Sequence, residues 1–173
     1  AMLVGGASLV SAATGCASSQ NTDSQRMGAD GSPITQAEVR AAQRAWGEGI
    51  VDISRVYAKG GDYEARAAAH INTMYAYGDT IVLFKPTLAS DDQFRGDFDS
   101  ALSYFIGRKG TEDEGFAIKG WTNVRFENEG KFIGRDLAMA MGNYFFTGPD
   151  GEETKVEYSF GYVRGKDGTL KIM

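Results

Sequence analysis

The sequence predicts an α+β roll in which helices from the N-terminal half cover a strongly curved antiparallel sheet from the C-terminal half. Three observations predict it. Apolar residues recur at helical spacing from Val39 onward, turn signals follow one another closely after Trp121, and alternate positions from Ala138 to Gly142 carry almost no side chain. The 173 residues are 42% hydrophobic and 24% charged, the make-up of one soluble domain with a tail.

The tail comes first. The run AMLVGGASLVSAATGC is small, apolar and uncharged, and it closes on Ala13-Thr14-Gly15-Cys16. This resembles the lipobox of bacterial lipoprotein signal peptides, with Cys16 as the lipidated residue; the alternative is a chance leader of small residues. It has the length of a signal peptide's apolar core and is too short to span a bilayer. No positively charged segment precedes it, so a start further upstream is expected. Residues 1–16 are read as the leader and 17–33, rich in Ser, Gly and Asp, as a disordered tether. The expected location is the bacterial periplasm or cell envelope, with membrane contact through the lipid anchor alone.

The ordered domain spans 34–173. Thr35-Gln36-Ala37-Glu38 fits a capping box, in which hydroxyl and carboxylate each satisfy an orphan N–H of the first helical turn. Val39, Ala42, Trp46, Ile50, Ile53 and Tyr57 then form one apolar stripe over about six turns. Gly47 and Gly49 interrupt it at roughly 1 kcal/mol each, and close packing against the helix is their simplest reason. Asp62 caps a second helix running to about Tyr77 with Ala67, Ile71 and Met74 inward. His70 beside that stripe reads as a base or ligand, or as a partly buried histidine with one hydrogen bond. Met74 at the i+4 position, where a second ligand would stand, favours the latter. A short helix or turn is expected from Asp99, with Ala101, Leu102, Phe105 and Ile106 apolar.

Ile81 to Phe84 reads as a buried strand that delivers Lys85, Pro86 and Thr87 to its end, where a small polar pocket would use them. After Trp121 the turns Asn128-Glu129-Gly130, GPDGEE and GKDG mark three hairpins and hence an antiparallel meander. A helix can lie against the bare positions Ala138, Ala140 and Gly142, or a cavity can open there. The candidate pocket residues are Thr87, Lys85, Tyr104, Asn143 and Tyr144. The acidic loop Thr111–Gly115 reads as solvated charge or as a cation collector.

Composition excludes other classes. With 18 basic against 23 acidic residues and no basic run, a nucleic-acid partner is not expected. One cysteine and one histidine exclude, within these 173 residues, a disulfide framework and a zinc site built of His and Cys alone. No Ser/His/Asp order and no glycine-rich phosphate loop stands in the chain.

The motifs VLFKPT, ALSYFIG, EDEGFAIKGWTNVRFEN, AMAMGNYFFT and KVEYSFGY, in this order and at these gaps, resemble the iota-class carbonic anhydrases. That family is related to the association domain of calcium/calmodulin-dependent kinase II and belongs to the nuclear transport factor 2-like superfamily. The resemblance, over 34–173, implies a cone-shaped roll, a homodimer, and hydration of carbon dioxide to bicarbonate. Some members are described with zinc or manganese and others with none, and the metal-free form is the expectation here. The threonine of KPT corresponds to Thr87 and the tyrosine of LSYF to Tyr104 as catalytic groups; Lys85, Asn143 and Tyr144 are the substrate-binding candidates. In the metal-free form, hydroxyls and a histidine hold one water beside the unsolvated substrate. The family's last strand runs on into a His-His-Ser-Ser segment that supplies further pocket residues, so a C-terminal continuation past Met173 is expected. The alternative is the same fold as a non-catalytic ligand-binding or oligomerising module. An isomerase or cyclase of this superfamily would need an Asp–His dyad, and no inward acid is evident.

Overall fold

The computed structural model of the protein describes residues 31–173, so the leader, Cys16 and nearly all of the tether lie outside the described residues. Helix α1 (Gln36–Ala58) opens on the expected box: Glu38 N–H donates to the Thr35 hydroxyl at 3.2 Å, and Thr35 N–H donates to the Glu38 carboxylate at 2.8 Å. Its stripe buries Val39, Ala42, Trp46, Ile50 and Ile53, whereas Tyr57 is exposed and meets Tyr63 edge to face at 4.9 Å. A side chain at Gly47 would touch Val124, and one at Gly49 would stand 2.0 Å from His70 Nδ1. The glycines mark where the sheet and the next helix approach.

Helix α2 (Tyr63–Met74), capped by Asp62, stops three residues short of the expected end. Tyr75 turns to an extended conformation there, and Ala76 N–H donates to the Ile172 carbonyl at 2.8 Å. Tertiary pairing ends this helix. Helix α3 (Phe98–Ile106) takes Asp97 as its cap, so Asp99 lies inside its first turn.

The segment from Ile81 is a correction to the sequence reading. It joins no sheet: Val82 is buried and Phe84 half-buried, while Ile81 and Leu83 are 71% and 77% exposed. An extended chain turns alternate side chains to opposite sides, so only half of the apolar run enters the core.

Strands β1 (Asn123–Ile133), β2 (Leu137–Thr147), β3 (Glu153–Arg164) and β4 (Leu170–Ile172) form one antiparallel meander in sequence order. Two of the three expected hairpin turns stand where the sequence puts them. The third does not, because Asn128-Glu129-Gly130 is a register shift inside β1 and the turn follows Ile133. Asn128 is held by a buried partner the local sequence does not reveal. Its amide and that of Gln43 bond reciprocally at 2.8 and 3.0 Å, and the Tyr158 hydroxyl donates to Asn128 at 2.7 Å. A Cβ on Gly142 would lie 2.1 Å from the Glu127 carbonyl, so glycine is required across from the shift. Ala138 and Ala140 are buried.

His70 sits in this core between Trp46 and Phe105, 4% exposed, with no hydrogen-bond partner on Nε2 among the described residues. It is therefore more buried and less bonded than the sequence suggested. Burial pushes its pKa down to about 3; Arg66 adds to the shift and Asp52 opposes it. An unfolded imidazole titrates near 6.5, so between pH 6.5 and about 3 the unfolded chain binds a proton that the folded one excludes. The His70 contribution thus lowers stability as pH falls through that window. We predict that denaturation midpoints measured from pH 7 to pH 4 fall steeply in the wild type and less steeply in His70→Leu, whatever that variant's stability at pH 7.

Candidate active site

A cavity of about 570 Å³ opens between the inner face of the sheet, helix α1 and the extended segment that starts at Ile81. Trp46, Tyr75, Phe116, Tyr144, Phe146 and Phe160 give it an aromatic wall. Alternation along β2 and β3 brings the sheet's rings there: Tyr144 and Phe146 share a face with Tyr158 and Phe160. Phe116 stands on a 3₁₀ turn (Phe116–Ile118) fastened from both sides. The Trp121 indole donates to its carbonyl at 2.6 Å, and the Ser54 hydroxyl donates to the Ala117 carbonyl at 2.7 Å.

Polar groups enter this wall at a few points. Thr87 follows buried Pro86 at the end of the extended segment, and Lys85 lies just before it with its ammonium donating to the Pro86 carbonyl at 3.3 Å. Tyr104, on α3, is 8% exposed; its ring stacks on Phe116 at 5.1 Å and meets Phe84 edge-on at 5.7 Å. Burial raises the Tyr104 pKa, and the Leu88 backbone N–H facing its hydroxyl opposes the shift. Tyr144 is raised too, first by burial and then by nearby Tyr104, with the Thr87 hydroxyl acting the other way. Phenols held this way stay protonated across the physiological range. They donate and accept hydrogen bonds as neutral hydroxyls and do not serve as phenolate bases.

The structure thus brings together Thr87, Lys85, Tyr104 and Tyr144. Asn143 is a correction: it precedes Tyr144 on β2, so alternation turns it to the opposite face, across from Glu127 and Glu157, and it does not line the cavity. His70 is not a lining residue either. Tyr75 and Trp46 line the cavity unanticipated. The Trp46 indole N–H donates to the Tyr75 hydroxyl at 3.0 Å, and burial lifts the Tyr75 pKa well above its usual value. Trp46 stood in the apolar stripe and read as core; Tyr75 follows α2, with no local signal for its role. Lys119 adds a second ammonium-bearing side chain to the lining. Among the described residues, no group of three His, Cys, Asp or Glu side chains could hold a metal ion. No helix among them is long and apolar enough to cross a membrane.

A profile of the family described as metal-independent carbonic anhydrase matches residues 37–173. A metal-independent carbonic anhydrase of Nostoc sp. (strain PCC 7120) is 41% identical over 145 residues, 81% of this chain and 71% of that one. The crystal structure of an iota-carbonic anhydrase from a cyanobacterium, complexed with bicarbonate, superposes with a TM-score of 0.77 at 39% identity. That superposition covers 81% of this chain and 88% of the other.

Proposed function

We propose a site mechanism from one premise: the chain belongs to the metal-independent carbonic anhydrase family. The protein is a carbonic anhydrase that interconverts carbon dioxide and water with bicarbonate and a proton, without a metal cofactor. The observation that carries the site assignment is the convergence of neutral hydroxyls, Thr87, Tyr104 and Tyr144, on one aromatic cavity.

Carbon dioxide is apolar, and an aromatic cavity holds it away from bulk water. Thr87 accepts a hydrogen bond from the attacking water and fixes its oxygen toward the carbon. As the new C–O bond forms, one C=O π pair moves onto oxygen. Tyr104 and Tyr144 donate to the charge that develops there, in a setting of low dielectric where oriented dipoles act strongly. The water's second proton leaves through solvent at the cavity mouth. Lys85 and Lys119 attract the bicarbonate anion at the rim. Positioning and preformed donors take the place of a metal's acidification of water.

Two finer assignments belong to the same proposal. The outer face of β1 and β2 exposes Phe132, Leu137, Met139 and Met141, between 37% and 63% each, and this apolar patch supports a homodimer. Light scattering is expected to give twice the chain mass for the wild type and a smaller mass for Met139→Glu/Met141→Glu; an unchanged monomer overturns the assignment. The lipid anchor at Cys16 and an envelope location rest on the Ala13–Cys16 run. Metabolic palmitate labelling should mark the wild type and not Cys16→Ser.

Site variants test the mechanism directly. In the full-length protein, Thr87→Ala and Tyr104→Phe are expected each to lower the hydration rate by about 10²–10³, the order that one preorganised hydrogen-bonding group is worth. Thr87 is solvent-exposed and Phe keeps the Tyr104 ring stack, so far-UV circular dichroism should not change. Wild-type rates in either variant, by stopped flow, would remove that residue from the site.

A further inference from the structure

Two of the three acids in the loop after α3, Glu112 and Asp113, are not solvated charge, while Glu114 is exposed. Glu112 spreads its carboxylate under three consecutive backbone N–H groups: Ser90 at 2.8 Å, Asp91 at 3.1 Å and Asp92 at 2.8 Å, with the Ser90 hydroxyl at 2.9 Å. Those three residues belong to the loop that begins at Thr87 and Leu88. The far end of the loop is tied as firmly. Arg95 is 2% exposed; its backbone N–H donates to the Phe84 carbonyl at 2.8 Å, and one guanidinium nitrogen donates to the Asp92 carbonyl. Its other terminal nitrogen meets Asp113 at 2.6 Å, and the second oxygen of Asp113 accepts from the Ser103 hydroxyl at 2.6 Å. Ser103 adjoins Tyr104, and the Arg95 guanidinium lies 5.9 Å from the centre of the Tyr104 ring.

We infer that Glu112, Asp113 and Arg95 form a charged brace that positions Thr87, the Leu88 N–H and Tyr104 for the reaction. The inference rests on the site reading above and adds three positioning residues, none of which lines the cavity. Its physical content is a division of labour. Thr87 ends a segment that pairs with no strand, so no ladder bond fixes its backbone, and the sheet reaches it only through the Tyr144 hydroxyl. A carboxylate held by three backbone N–H groups supplies the missing rigidity, because charge-assisted bonds in such a nest are short, directional and costly to break. Arg95 and Asp113 extend that rigidity to Tyr104 from behind its ring. Both carry buried side chains, so removing either leaves an unpaired buried charge and endangers the fold. Glu112, at the margin, is the residue to vary.

The test is a double-mutant cycle on the full-length protein, with hydration rates by stopped flow and the fold followed by thermal unfolding. Glu112→Gln is expected to lower kcat about 10- to 100-fold with KM little changed, since misplacement of a catalytic group costs on that order. Glu112→Asp, which keeps a carboxylate, should recover part of the loss. Combined with Thr87→Ala, Glu112→Gln should cost much less than it does alone, because Thr87, one of the groups it positions, is already gone. Ser90→Ala, which removes a single hydroxyl contact, should show a smaller loss that Thr87→Ala likewise absorbs. It decides the matter if Glu112→Gln does not fold. An impaired Thr87→Ala together with a harmless Glu112→Gln, or with losses that multiply undiminished, overturns the brace and leaves the site reading standing. A fully active Thr87→Ala overturns the site reading and the brace with it.

Discussion

The Trp46 indole is the contact on which both fold and site depend. It is 3% exposed at the middle of α1, stacks near-parallel on Phe116 at 6.2 Å, and meets Phe126, Phe146 and Phe160 edge to face. Its N–H is committed to Tyr75, which links α1 to the chain just after α2. The helix that carries this ring comes close to the sheet where Gly47 meets Val124. Because Trp46 also lines the cavity, the packing that closes the core shapes the floor of the site. Core and site are one object here.

That coupling explains the electrostatic character of the cavity. The tyrosines at its wall are raised in pKa, with burial as the leading cause for Tyr75, Tyr104 and Tyr144 alike. A neutral hydroxyl in a dry wall is a dipole fixed before substrate arrives, and no solvent has to reorganise when charge appears on the product oxygens. The charged groups stand behind or around this wall. Arg95 and Asp113 pair behind Tyr104, and Lys85 and Lys119 mark the lining's cationic side chains.

What the sequence made legible was local. The Thr35–Glu38 box and the Asp62 cap depend on residues three apart, and the structure places both as read. The bare face of β2 needed only period-two alternation. Readings failed where a partner lay far along the chain. Asn128 sat in an apparent hairpin signal but answers to Gln43, 85 residues away. Tyr75 acquires its role from Trp46, 29 residues earlier, and Glu112 from backbone groups some 20 residues before it. The run from Ile81 misled for another reason: an apolar stretch does not say whether a strand stands beside it, and here half of it faces out. Asn143 and Tyr144 are neighbours on one strand, and strand alternation keeps both from facing the same pocket.

The central claim is that fixed hydroxyls, rather than a metal, prepare water and carbon dioxide in this cavity. Its most direct test is carbon dioxide hydration by stopped flow on the full-length protein after exhaustive chelation, with bound metal quantified by mass spectrometry. An undiminished rate is expected at metal contents far below one ion per chain, with no gain on adding zinc or manganese. A rate that vanishes with the chelator and returns in proportion to added zinc would contradict it.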